Sequence, residues 1–273
     1  MKAAAFDYRS AESVAQAVAL LAEGDTRVLA GGQSLGPSMN LRLARPQRLV
    51  DVKRVASLRA VAADDAVCSL GAGWTHAEIE DGVVPDFSCG LMARIAQGIA
   101  YRAVRNRGTL GGSLAHADPA ADWVNTVVAL AGTLVVEGPG GQRRIAAADF
   151  VRGAFTTALQ GNEMLVAVEL PRLGQKSRWG YHKLCRKTGE FAKAIGIAVL
   201  DPGRGLARVL AGAVEAAPVP LPLAAKQLWE AGPAAAIAVL DDEVAARLAD
   251  LAPAERMLRV VAVRRAIEAL AEG

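Results

Sequence analysis

Two glycine pairs, Gly31-Gly32 and Gly111-Gly112, constrain this chain more than any other feature. The first lies in AGGQSL, Ala30–Leu35, after an apolar run, Arg27–Ala30, that reads as a strand. A helix is expected beyond it at Ser38–Leu43. The second lies in TLGGSLAHADPAADW, Thr109–Trp123, a loop leading to a helical pattern at Asp122–Ala131. Paired glycines let neighbouring backbone N–H groups point at one spot with no Cβ in the way. A following helix start adds unsatisfied donors and positive partial charge, which suits a diphosphate. Ser34, Thr109 and Ser113 add hydroxyl donors. Two such segments can clamp both phosphates of one dinucleotide. Each pair alone is an ordinary turn signal. Neither fits GxxxxGK[ST], and neither fits GxGxxG with an acidic residue at the expected distance, so a Walker A or Rossmann NAD site is not supported. The residues by themselves imply an extended, phosphate-containing ligand.

Composition narrows the class. The 273 residues are 52% hydrophobic and 22% charged, a globular balance that fits one large or two moderate domains. The formal charge of +3 is small and spread along the chain, which argues against nucleic acid. Cys68, Cys89 and Cys185 lie far apart and form no CxxC pair. They cannot by themselves assemble a Cys₄ cluster or a structural zinc site, and they read as thiols of a reducing compartment. His76, His116 and His182 share no metal-ligand spacing, so no metal site is expected; HExxH and GxSxG motifs are absent. The segment MKAAAFDYRSAE meets polar and acidic residues before any signal-peptide apolar region develops. No run of about 20 apolar residues occurs, so the expectation is a cytoplasmic protein without a membrane span.

Along the chain, Ser10 is expected to cap a helix carrying Val14, Ala17, Val18 and Leu21 at 3.6-residue spacing. Strands are expected at Arg48–Val52, Val67–Gly71, Thr133–Glu137 and Met164–Leu170, and a helix at Ser88–Gly98. Gly138-Pro139-Gly140-Gly141 reads as a hairpin turn returning through Gln142–Ile145. The polar stretch Arg172–Arg178, with Gly174, is the best boundary. It divides the chain into 1–174 and 175–273. Beyond it, Tyr181–Leu184, Ala194–Leu200 and Leu206–Ala213 read as strands. Ile237, Leu240, Val244 and Leu248 share one helix face, as do Val260, Val263, Ile267 and Leu270. The fold class is α+β, the second part an antiparallel sheet with helices.

Taken in order, AGGQSL, AVRNRGTLGGSLAHADPAADW and YHKLCRKTGEFAKA resemble the FAD-carrying medium subunits of molybdenum hydroxylases, the family of carbon monoxide, xanthine and aldehyde dehydrogenases and quinoline oxidoreductase. The resemblance runs from Phe6-Asp7-Tyr8 to the closing MLRVVAVRRAIEAL. It implies a two-part FAD-binding domain of the vanillyl-alcohol oxidase superfamily type, with two α/β subdomains, followed by a smaller domain. It assigns the first diphosphate segment to Ala30, Gly31, Gly32, Gln33, Ser34 and Leu35, and the second to Thr109, Leu110, Gly111, Gly112 and Ser113. By the same resemblance His116 lines the FAD site, and Asp122 lies at the adenosine-ribose end or in the second segment's framework. Ile99 packs on the flavin ring, Leu165 on the adenine or ring side, and Lys183 lies near the isoalloxazine. Gln33 stands where the carbon monoxide enzyme has histidine, and Ile99 where eukaryotic xanthine oxidoreductases carry an aromatic residue. The resemblance also implies partners: a large molybdopterin subunit and a small subunit with 2Fe–2S clusters, as a dimer of heterotrimers. FAD would then relay electrons to NAD, oxygen or a quinone-linked acceptor, with no substrate turnover by this chain.

The charged residues leave choices open. Arg102, Arg105 and Arg107 face either the diphosphate, a partner or solvent; Arg186, Lys187 and Lys193 flank Gly189-Glu190-Phe191 close to the flavin in relatives. Asp118 and Asp122 read as structural or ribose-binding carboxylates, and Trp123 and Trp179 as packing residues. Two rivals stand beside the relay. A self-contained flavin oxidoreductase would be reduced by its own organic substrate, and a non-catalytic assembly protein would carry no stoichiometric flavin.

Overall fold

The computed structural model describes residues 2–215 and 217–272, apart from the side chains of Ala271 and Glu272. The chain opens with β1 (Asp7–Ser10), α1 (Val14–Leu21), β2 (Thr26–Leu29), α2 (Leu35–Asn40) and β3 (Arg48–Asp51). The three strands form a parallel sheet in the order β1-β3-β2, which requires a crossover between successive strands; α1 and α2 supply them. Ser13, not Ser10, caps α1: its Oγ accepts from the Gln16 N–H at 3.2 Å. Ser10 instead ends β1, paired with Asp51.

The middle comprises β4 (Val61–Ala63), β5 (Val67–Gly71), α3 (His76–Glu80), α4 (Leu91–Gln97), α5 (Arg102–Arg105), α6 (Leu110–His116), α7 (Asp122–Ala129), β6 (Thr133–Gly138), β7 (Gly141–Ala146), α8 (Ala147–Phe150), β8 (Val151–Gly153), β9 (Thr156–Thr157) and β10 (Met164–Pro171). Here the sheet is antiparallel, ordered β4-β5-β10-β6-β7. Gly138 pairs with Gly141, so Pro139-Gly140 is the hairpin loop. Gly111 and Gly112 do not lie in a loop leading to α7. They form the first turn of a helix of their own, α6, with the Thr109 hydroxyl accepting from the Gly112 N–H at 3.0 Å.

The remaining elements are β11 (Arg178–Leu184), β12 (Ala194–Asp201), β13 (Leu206–Gly212), β14 (Val219–Pro220), α9 (Pro222–Ala231), α10 (Pro233–Ala238), α11 (Leu240–Arg247) and α12 (Pro253–Glu272). The strands make an antiparallel sheet in sequence order. The helix face expected from Ile237 to Leu248 is divided at Val239 between α10 and α11. Every residue of β12 is buried, because its two faces serve two cores. Ile197 and Val199 pack into the core shared with the first two sheets, while Ala198 and Leu200 pack under the C-terminal helices. The alternation is the period-2 geometry of a strand between two layers. In the 172–178 segment, Leu173 N–H donates to the Phe87 carbonyl and Gly174 N–H to buried Asp201, both at 2.9 Å.

Candidate functional site

The first glycine pair follows edge strand β2 and precedes α2. A Cβ on Gly31 would lie 2.0 Å from the Arg107 carbonyl oxygen and 2.8 Å from Gly108 Cα, so two backbones touch at a point only glycine permits. Gly32 has a φ of +71°, a left-handed conformation that turns the chain sharply. The N–H groups of Gly31, Gly32, Gln33 and Ser34 have no hydrogen-bond partner among the described residues. Four consecutive unspent donors around a left-handed residue make a concavity suited to an anion.

The second pair is built differently. The Leu110 N–H donates to the Trp74 carbonyl and the Gly111 N–H to the Ala72 carbonyl, both at 2.9 Å. A Cβ on Gly111 would meet the Ala72 Cβ at 2.4 Å. The amides at 110 and 111 are therefore spent on fixing α6 against the 72–74 segment, and that at 112 on the Thr109 cap. Below it lies His76, 5% exposed, whose Nδ1 accepts from Trp123 Nε1 at 3.0 Å. A Cβ on Gly108 would stand 2.7 Å from His76 Nε2. Burial, with the Arg105 charge adding to it, pushes the His76 pKa down to about 4, so the ring is a neutral wedge.

Between the two segments is a cleft of about 220 Å³. Val52, Val55 and Leu58 form its apolar wall, and Gly31, Thr75, Thr109, Asn106, Arg107 and Lys53 its polar side. Lys53 is held at the rim by buried Asp51, at 2.8 Å, and Asp51 also accepts from Tyr8 at 2.5 Å. Arg59 also lines the cleft, but its guanidinium is committed to Glu78 and stacks 4.5 Å over Trp74. An apolar wall facing amides and cations matches the needs of an adenosine diphosphate moiety.

A second constellation forms where the middle of the chain meets β11. Asp122, at the start of α7, is 5% exposed in its side chain, and Lys183 is 11% exposed. The Lys183 ammonium lies 3.0 and 3.1 Å from the two Asp122 oxygens and 3.4 Å from the Gly98 carbonyl, one residue before Ile99. Tyr181 donates to the same Asp122. Arg105, paired with Glu80 at 2.7 Å, donates to the carbonyls of Ile99 and Ala100, at 3.1 and 3.0 Å. Asp122, Ile99 and Lys183 thus stand together, with both Asp122 oxygens engaged by protein. His116 packs on exposed Phe155 with ring centroids 5.1 Å apart. Leu165 is buried in β10 beside a bulge and does not line the cleft. Of the arginine cluster, Arg102 is tied to Glu80 and Asp81, and Arg107 alone lines the cleft.

Lys53 and Tyr181 were not among the expected site residues. Lys53 follows a strand end, the usual place for ligand contacts in α/β architectures, and could have been suspected on that ground. Tyr181 carries no local signal. Among the described residues, no group of His, Cys, Asp or Glu could hold a metal ion, and no helix is long and apolar enough to cross a membrane.

Residues 4–173 match the family described as the FAD-binding domain in molybdopterin dehydrogenase. The carbon monoxide dehydrogenase medium chain of Hydrogenophaga pseudoflava is 38% identical over 191 residues, covering 69% of this chain and 67% of the relative. A solved carbon monoxide dehydrogenase from the same organism, lacking the Mo-pyranopterin moiety of its molybdenum cofactor, superposes with a TM-score of 0.90 at 31% identity. That match covers 100% of this chain and 99% of the other. Quinoline 2-oxidoreductase from Pseudomonas putida 86 gives 0.88 at 31% identity, with the same coverage.

Proposed function

Because the chain belongs to the family of FAD-binding domains of molybdopterin dehydrogenases, we propose that it is the electron-relaying flavoprotein of a molybdenum hydroxylase complex. The observation that carries this reading is the Gly31–Arg107 contact with four unspent amides beside it. Glycine at 31 brings this segment against the Arg107 backbone, and a diphosphate would satisfy the four donors. FAD fits these residues. Gly31, Gly32, Gln33 and Ser34 would hold its diphosphate, with Thr109, Ser113 and α6 closing the other side. Lys53 and Arg107 add charge at the rim, and Val52, Val55 and Leu58 offer the adenosine an apolar wall. The flavin ring would lie toward Ile99, Asp122 and Lys183.

When bound, FAD supplies a carrier that takes electrons from 2Fe–2S clusters of a small partner subunit and yields them to NAD, oxygen or a quinone-linked acceptor. The chain's own work is to hold and orient that group. Substrate selection belongs to the large molybdopterin subunit, in keeping with relatives named for substrates as different as carbon monoxide and quinoline. The complex would be a dimer of heterotrimers in the cytoplasm, and this chain would carry a vanillyl-alcohol oxidase-type FAD domain over 1–174 and a second domain over 175–273.

The test is the absorbance spectrum and released cofactor of the purified chain, followed by mixing with candidate organic substrates. About one FAD per chain, no iron, and no bleaching without partner subunits is expected. Bleaching by an organic substrate alone would favour a self-contained oxidoreductase. A chain that refuses added FAD would leave only an assembly role.

A further inference from the structure

Buried Asp122 meets two partly buried polar side chains, Tyr181 and Lys183, between α7 and β11. Asp122 accepts from the Tyr181 hydroxyl on Oδ1 and from Lys183 on both oxygens, at 3.1 and 3.0 Å. Among the described residues Lys183 has one other partner, the Gly98 carbonyl at 3.4 Å. We propose that Tyr181 is a positioning residue for the flavin site, sharing the charge of Asp122 so that the Lys183 ammonium keeps its field toward the bound ring. This rests on the reading above that the ring lies beside Lys183 and Ile99.

A buried carboxylate contacted only by Lys183 would cancel most of that cation's field. A phenol donated to the same carboxylate takes up part of its charge through a charge-assisted hydrogen bond. Burial, and then the Asp122 charge, push the Tyr181 pKa well above the ordinary phenol value, so it stays a donor. Cations favour the anionic reduced form of a flavin, and a less cancelled Lys183 raises its potential.

A purely structural tie between α7 and β11 would make a different prediction, which separates the two. The FAD-loaded chain is compared with Tyr181→Phe, Lys183→Met, Lys183→Arg and Asp122→Asn. The readouts are the midpoint potential, the FAD dissociation constant in each redox state, and the thermal midpoint of the apo chain. Tyr181→Phe is expected to weaken binding of reduced relative to oxidised FAD about tenfold, which is about 30 mV for a two-electron couple. Lys183→Met shifts the potential further in the same direction, Asp122→Asn shifts it the opposite way, and Lys183→Arg restores it. Equal loosening of both redox states in every variant, with the potential unmoved, would overturn the proposal and leave a structural tie. Failure of the unaltered chain to bind FAD would overturn the underlying reading first, and this proposal with it.

Discussion

The first glycine pair and the C-terminal sheet use the same steric device to different ends. Gly31 lets the Arg107 backbone within 2.0 Å of where a Cβ would be, while Gly180 and Gly196 let α12 settle on β11 and β12, with Ala266 and Ala262 carbonyls 1.8 and 2.2 Å from the missing Cβ atoms. At Gly180 and Gly196 the backbone belongs to strand ladders, paired with Ala198, and with His182 and Ala211. At Gly31–Ser34 the donors are unspent. Close approach through glycine is thus a packing device in one place and, on the proposed reading, part of a binding device in the other. What separates them is whether the amides beside the contact already have partners.

Alanine at each of the two contacts separates the roles most sharply. Gly196→Ala and Gly31→Ala each force a backbone contact apart and are expected to cost about 3 kcal/mol, the upper end for overpacking, read by urea unfolding. They should part company in FAD titration of the folded fraction. Gly196→Ala keeps affinity within a few-fold, and Gly31→Ala loses it by a hundredfold or more. Equal loss in both would dissolve the distinction.

Next in size is the acid response of the wedge under the second glycine pair. The folded-state pKa of His76 is about 4 against an ordinary 6.5. The unfolded chain therefore binds the extra proton first as pH falls. Stability from neutral His76 is complete above about pH 6.5 and is lost as pH drops toward about 4, a difference on the order of 3 kcal/mol. Urea midpoints at pH 7 and pH 5 should diverge in the unaltered chain and less so in His76→Gln; parallel behaviour would show that another group controls the acid limb. Smaller again, Thr109→Ala removes the cap of α6 and should cost about 1 kcal/mol, with Thr109→Ser near neutral by thermal unfolding. Smallest is Gly36→Ala in α2, where a Cβ meets nothing within 4 Å. It should be neutral or stabilise by less than about 1 kcal/mol and leave FAD binding intact, which would confirm that glycine content as such is not what binds.

How far the sequence could be read followed the range of the forces involved. The turn at Gly31-Gly32, strand β5 and the β6–β7 hairpin were legible because their determinants are local: glycine conformation, alternation and turn residues. Strand β1 was missed, since DYRS is polar, exposed and takes its pairing from β3, some 40 residues away. Helix α6 was read as a loop because two glycines in its first turn depress helix propensity, and the contacts to Ala72 and Trp74 that hold it are tertiary. The same limit hid Tyr181, whose partner lies 59 residues away. Asp122 and Lys183 were singled out only through family resemblance, and nothing in their spacing announces the ion pair.

The most direct test is amide hydrogen exchange with and without FAD, which needs no substitution. The amides of Gly31 to Ser34 should exchange quickly in the apo chain and gain protection on FAD addition, while those in β11 and β12 are protected in both states. Protection at 31–34 that is already present without FAD, or that FAD leaves unchanged, would contradict the assignment of the diphosphate to the first glycine pair.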